Sequence, residues 1–224
     1  MTVTTKERSI GSRKALVAEL ALVGLLVGYG SFSVYRLALL FLLASQSLWV
    51  RHLGWSHVGL TRPAAIPRTL LQALVAALLI LVAVRIVIVP TSVWLAGVPV
   101  DWSALGEPGD ARAFWLWLGQ AWTLAAFGEE MVFRGYMINR LRDLVGDTPI
   151  GRAIAIAASS ALFGLAHGYQ GLAGMIATGT IGSILALLYF ASRRNLWAVI
   201  VCHAIVDTIA LSALYFDRRS WLFP

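Results

Sequence analysis

Only one cysteine, Cys202, occurs in the 224 residues. An intrachain disulfide is therefore impossible, and so is a Cys-x-x-Cys metal motif. Charge is scarce too: 13% of the residues are Asp, Glu, Lys or Arg, against about 25% in a soluble domain. No His-Glu-x-x-His helix is present, which removes one kind of metalloprotease. A Gly-x-Ser-x-Gly turn is also missing; Ser183, in Gly182-Ser183-Ile184, has no evident base, so a serine nucleophile has no support. Cys202 lies next to His203, but adjacent helical residues point about 100° apart, and the thiol reads as packing. Internal repeats and low-complexity tracts are absent.

Apolar residues are what the chain has in excess. Its hydrophobic fraction is 59% and its mean hydropathy +0.78, which define an all-α, polytopic transmembrane helical bundle. The net charge of +7 and the pI near 10.2 raise the question of nucleic acid. No basic patch stands apart from the loops, so the excess marks cytosolic segments and no nucleic-acid partner is expected. Membrane lipid is the expected surrounding, and a bacterial plasma membrane the expected location.

Apolar runs near 15–28, 33–50, 68–89, 113–139, 153–171, 174–192 and 196–215 give about seven spans. The first follows a polar stretch with Lys6, Arg8, Arg13 and Lys14 and lacks a small-x-small cleavage site, so it reads as a signal anchor with a cytosolic N-terminus. The cytosolic side then holds those four with Arg51, Arg62, Arg68, Arg140, Arg142, Arg152, Arg193 and Arg194. Arg36, Arg112, Arg218 and Arg219 fall on the other side, and this imbalance supports the orientation. The expected organisation is a polar N-terminus (1–14), helices and an outer loop (15–110), a helical core (111–215) and a tail (216–224). Gly171, Gly174, Gly179 and Gly182 are expected to let helices approach closely.

Against this background the stretch Gly128-Glu129-Glu130-Met131-Val132-Phe133-Arg134 stands out. One ionisable group at mid-membrane costs roughly 2.5–3.5 kcal/mol on insertion scales. Glu130 and Arg134, four apart, share a face and neutralise each other, which leaves Glu129 without a local partner. His167 comes one turn after Phe163, and His203 and Asp207 are again four apart. At 1.5 Å per residue, Glu129 lies about 16 Å from Arg140, His167 about 22 Å from Arg152 and His203 about 13 Å from Arg194. Three helices thus deliver costly groups to one layer, and such groups are expected to face one another or a wet cavity. Glu19 and Arg85 are expected to reach the interfaces, Glu19 by snorkelling or by pairing with Arg13 or Lys14.

Glu129-Glu130-x-x-x-Arg134, Phe163-x-x-x-His167 and His203-x-x-x-Asp207 resemble, in order, the three motifs of the CAAX protease and bacteriocin-processing family. These intramembrane endopeptidases are also called the Abi family or type II CAAX prenyl endopeptidase-like proteins. The likeness covers about 110–215. The third motif of the prenyl endopeptidases usually ends in Asn; Asp207 stands there here, as in bacterial members.

The resemblance implies hydrolysis of a peptide bond in a membrane-bound or lipidated protein or peptide. Catalytic roles fall on Glu129, His167, His203 and Asp207, with Glu130, Arg134 and Phe163 supporting them. Glu129 as general base would activate a water held with His167, and His203, backed by Asp207, would stabilise the oxyanion. No cofactor is required in that scheme. In the alternative scheme Glu129, His167, His203 and Asp207 gather Zn²⁺ to activate the water. A proton-coupled transporter and a non-catalytic membrane scaffold or immunity protein of the same fold are the competing functions; the first predicts repeats and the second a decayed motif set.

Overall fold

The computed structural model describes residues 13–28 and 33–222, so most of the polar stretch 1–14 lies outside the described residues. It is all-helical, with no strand among the described residues. Seven helices follow the seven expected spans: α1 (Arg13–Gly28), α2 (Val34–Val50), α3 (Ile66–Ala96), α4 (residues 111–145), α5 (Pro149–Ala166), α6 (Gly171–Ala191) and α7 (Leu196–Tyr215). A short turn of helix, α8, covers Arg219–Leu222. Four of them, α3, α5, α7 and the stretch Gly168–Ala191 containing α6, are long and apolar enough to cross a membrane. The remaining three are the shorter α1 and α2 and the charge-bearing α4.

Local chemistry sets several boundaries. Asp110 accepts from the amide of Ala113 and starts α4; Thr148, with Pro149 behind it, caps the amide of Gly151 and starts α5. Gly146, at φ 91°, makes the turn between those two helices, a conformation other residues resist. Asn195 accepts from the Trp197 amide at the head of α7. The third span runs past its expected end near 89 to Ala96, through Pro90. A π turn at Val84–Ile88 immediately precedes that proline and absorbs the hydrogen bond it cannot donate.

Helix α4 departs furthest from a regular α-helix. It is α-helical over Ala111–Gln120, π-helical over Ala121–Glu129 and Met131–Met137, and α-helical again over Ile138–Val145. Extended π geometry is rare and concentrates at functional sites. The whole segment 126–140 is buried apart from Phe127, so α4 is the central pillar of the bundle.

Two apolar clusters surround that pillar. One joins α3, α6 and α7 through residues such as Ile80, Leu185 and Val199; the other packs α1 and α2 against α4 through Val23, Leu40, Phe133 and Tyr136. Gly164 and Gly179 let α5 and α6 touch backbone to backbone: a Cβ on Gly164 would lie 2.5 Å from the Met175 carbonyl oxygen. The expected glycine contacts are thus only partly those found. Gly179 and Gly182 serve helix approach, whereas Gly171 is a turn residue at φ 72° and Gly174 makes room for the Gln170 side chain. The outer surface is apolar, with Leu25, Leu42, Leu78, Leu79 and Ile86 exposed, as lipid-facing positions are. The protein is an integral membrane protein.

The two ends of the bundle differ. At the end where α1 begins and α2 finishes, Arg51 pairs with Glu19 at 2.6 Å, Glu19 also accepting from Ser47 and Tyr136. Glu19 is therefore held by the neighbouring helix, a correction to its expected pairing with Arg13 or Lys14. Asp147 binds Arg142 and Arg152, and Arg194 donates to Asn139 at 2.7 Å and to the His57 carbonyl at 3.0 Å. The opposite end is formed by Ser33 and Val34, the 97–110 loop, the turn 167–170 and the last turn of α7.

Candidate active site

The buried centre of the site is Glu130. Its side chain is fully buried, and its Oε1 accepts from Arg134 Nη1 at 2.8 Å, as the four-residue spacing predicts. The same oxygen meets His203 Nδ1 at 2.7 Å. Glu130 therefore ties α4 to α7 as well as bracing its own helix, a link beyond the supporting role expected of it. Arg134 sends Nη2 to the Gly182 carbonyl of α6 at 3.1 Å and lays its guanidinium 4.2 Å from the centre of the Phe163 ring of α5. A side chain on Gly182 would intrude on both, its Cβ 3.2 Å from Arg134 Nη2 and 3.0 Å from Phe163.

Phe163 packs against both Arg134 and the imidazoles. Its ring lies 4.7 Å from that of His167 and 6.1 Å from that of His203, with Phe133 edge-on behind. His167 sits one residue past the end of α5, where the helix tightens: its amide bonds to the Gly164 carbonyl at 3.0 Å. The Phe163 carbonyl, left without the usual i→i+4 amide, accepts from His167 Nδ1 at 2.8 Å. A carbonyl only accepts, so Nδ1 carries the hydrogen and Nε2 is the remaining nitrogen. His203 Nε2 is 3.4 Å from Asp207 Oδ2, one turn further along α7.

Glu129, next to Glu130 on α4, faces the cavity. It is 7% exposed, and its Oε2 has no hydrogen-bond partner among the described residues. Desolvating a carboxylate without a partner is costly, so its retention asks for a purpose. Glu129, His167, His203 and Asp207 all line one cavity of about 450 Å³, with Phe163 in its wall. The expectation that three helices deliver polar groups to one pocket is met in the geometry. Trp102, Tyr169 and Gln170 line the same cavity and were not singled out in the sequence. Gln170 Nε2 donates to the Tyr169 hydroxyl at 3.2 Å, and the Gln170 backbone carbonyl accepts from the Asp101 amide at 3.0 Å, pinning the loop that carries Trp102. For Tyr169 and Gln170 the one sequence signal is position, immediately after the His167 motif.

Among the described residues no three His, Cys, Asp or Glu side chains form a group able to hold a metal ion. Both nitrogens of His203 face carboxylates and His167 Nδ1 is turned to a carbonyl.

These features define a class: a helical membrane protein that keeps acid and imidazole groups in a cavity between its helices. Residues 111–209, α4 to most of α7, match the family model of the type II CAAX prenyl endopeptidases, Rce1-like. At the coarse level this likeness implies a peptidase. No curated protein and no solved structure matches the chain.

Proposed function

We propose that the protein is a glutamate-dependent intramembrane endopeptidase that hydrolyses a peptide bond in membrane-bound or lipidated proteins or peptides, in a bacterial plasma membrane. The observation that carries this reading is the free carboxylate oxygen of Glu129 in the same cavity as His167 and His203.

Glu129 is the general base. With Nδ1–H committed to the Phe163 carbonyl, His167 offers Nε2 as acceptor to one hydrogen of a water while Glu129 takes the other. The water oxygen bonds to the scissile carbonyl carbon, and the carbonyl π pair moves onto its oxygen. His203 stabilises that oxyanion. Facing Glu130 at Nδ1 and Asp207 at Nε2, it satisfies both carboxylates only as the imidazolium, a cation fixed in place before the substrate arrives. Collapse of the intermediate breaks the C–N bond, and the proton held on Glu129 passes to the leaving nitrogen. Asp207 in place of Asn strengthens the charge behind His203. Glu130 and Arg134 hold α4 so that Glu129 turns to the cavity.

The metal-free scheme is preferred over zinc because Glu129 then stays available as base. Glu129→Ala, His167→Ala and His203→Ala should each abolish cleavage while folded protein persists in the membrane, scored by comparing the membrane proteome of a deletion strain complemented with each variant. Normal cleavage by Glu129→Ala sinks the assignment. Stoichiometric zinc by mass spectrometry, lost together with activity in chelator, overturns the metal-free scheme.

A further inference from the structure

His203 brings charge to the oxyanion but no free hydrogen. Its Nδ1 is turned to Glu130 at 2.7 Å and its Nε2 to Asp207 at 3.4 Å. His167 commits Nδ1 to the Phe163 carbonyl and keeps Nε2 for the water. A tetrahedral oxyanion is stabilised by donors aimed at it, and losing one typically costs about 10²–10³ in kcat. The cavity wall therefore has to supply a donor of its own.

The polar residues of that wall differ in what they have left to give. The Thr178 hydroxyl donates to the Gly174 carbonyl at 2.8 Å and is spent. Trp117 and Gln120 lie about two turns or more before Glu129 along α4. Tyr169 is nearer to the chemistry. It sits in the turn Gly168–Gln170 that joins α5 to α6, and its ring lies 5.8 Å from the His167 ring. Its hydroxyl is within electrostatic reach of Glu129 and Asp207.

Gln170 decides which way that hydroxyl is used. Its Nε2 donates to the Tyr169 oxygen at 3.2 Å, and no acceptor for the hydroxyl hydrogen is found among the described residues. An amide N–H only donates, so the phenol oxygen is the acceptor there and its own O–H is left for the cavity. Gln170 is held in turn. It is 7% exposed, its backbone carbonyl accepts from the Asp101 amide, and it fills the space Gly174 leaves open. A Cβ on Gly174 would lie 2.2 Å from Gln170 Cβ. The donor is thus fixed in direction by a buried, packed partner.

We infer that Tyr169 is a further catalytic residue: oriented by Gln170, its O–H donates a hydrogen bond to the oxyanion while His203 supplies the positive charge. This rests on the peptidase reading above and adds a group to it. The phenol keeps its proton throughout. Its hydrogen bond strengthens as negative charge gathers on the former carbonyl oxygen and relaxes when the C–N bond breaks.

The test uses the purified full-length protein, with the precursor that accumulates in Glu129→Ala membranes as substrate. Tyr169→Phe removes the hydroxyl and leaves the ring beside His167. Its kcat should fall by about 10²-fold with KM changed less than about twofold, and its unfolding temperature in detergent should not move. Gln170→Glu turns the donor into an acceptor and draws the phenol hydrogen away from the cavity. It should lose as much as Tyr169→Phe, and the double variant no more than either alone. Should Gln170→Glu fail to fold, Gln170→Met takes its place: with the hydroxyl unheld, kcat should fall between those of the wild type and Tyr169→Phe. Wild-type kcat in Tyr169→Phe, a raised KM with kcat unchanged, or additive losses in the double variant overturn the inference while the peptidase reading stands. If no precursor accumulates in Glu129→Ala membranes, the peptidase reading falls and takes this inference with it.

Discussion

Glu130 and His203, 73 residues apart in sequence, meet through a 2.7 Å contact between Oε1 and Nδ1. The same oxygen holds Arg134, so one buried carboxylate joins the two halves of the matched domain and orients the imidazole beside the cavity.

Removing that carboxylate strands its partners. Glu130→Ala leaves Arg134, 1% exposed, buried without its counterion, and breaking a buried pair in this way costs about 3–5 kcal/mol. The variant should lose most of its folded population, read as a lowered unfolding temperature in detergent. Unfolding like that of the wild type would show that the bridge contributes nothing.

Glu129→Gln should behave in the opposite sense. The carboxylate has an oxygen with no hydrogen-bond partner, so neutralising it relieves a desolvated charge. Unfolding temperature should stay level or rise, while cleavage falls by at least about 10²-fold, the usual contribution of a general base. Equal losses of stability and activity would make Glu129 structural.

Asp207→Asn keeps an acceptor 3.4 Å from His203 Nε2 and deletes its charge. Charge-assisted hydrogen bonds are roughly twice as strong as neutral ones, so a loss of about tenfold in kcat, 1.4 kcal/mol, is expected with KM little changed. Asp207→Leu removes the acceptor and should lose far more. Indistinguishable kinetics for the two variants would remove Asp207 from the oxyanion arrangement.

Gly164→Ala tests the α5–α6 contact that carries His167. The added Cβ sits 2.5 Å from the Met175 carbonyl oxygen and the backbones must separate, an overpacking cost of about 1–3 kcal/mol. Gly179→Ala meets its nearest atom at 3.3 Å and should be milder. Thermal unfolding of the pair checks the order.

The turn between α4 and α5 gives a pH signature. Hydrogen bonds from Arg152, then Arg142, hold the Asp147 carboxyl well below the usual carboxylate range. A lowered native value stabilises above the unfolded-state pKa of about 3.9 and is lost as pH falls through the native one. Asp147→Asn should therefore unfold slightly below the wild type at pH 7, and the difference should shrink in acid. A difference that grows in acid would reverse the sign.

Much of the site was legible because its parts are local. Glu130 with Arg134, and His203 with Asp207, repeat at four residues, a spacing any helix turns into a shared face. The matching depths of Glu129, His167 and His203 followed from rise per residue alone. The Glu130–His203 link was not legible, since helical periodicity says which residues share a face and nothing of which helix that face meets. Glu19 went wrong for the same reason: its neighbours in sequence were visible and Arg51, across a helix pair, was not. The apolar run expected for α3 stops near 89, whereas the helix continues past a π turn and Pro90 to Ala96, and the π segments of α4 had no signature in the pattern of apolar residues.

Those π segments also govern how α4 tolerates changes of length. A π turn is closed by i→i+5 hydrogen bonds where an α turn uses i→i+4, so it stores a surplus residue in the helix. Losing one residue between Ala121 and Glu129 would let the segment relax toward ordinary α geometry, and the rod would still run the height of the bundle. Because the surplus residue is what the π turn stores, the portions on either side would keep their phase, with Glu129 still on the cavity and Glu130 and Arg134 still gripping α7 and α6. A deletion in the α-helical stretch Ile138–Val145 has no such reserve and would turn everything beyond it by about 100°.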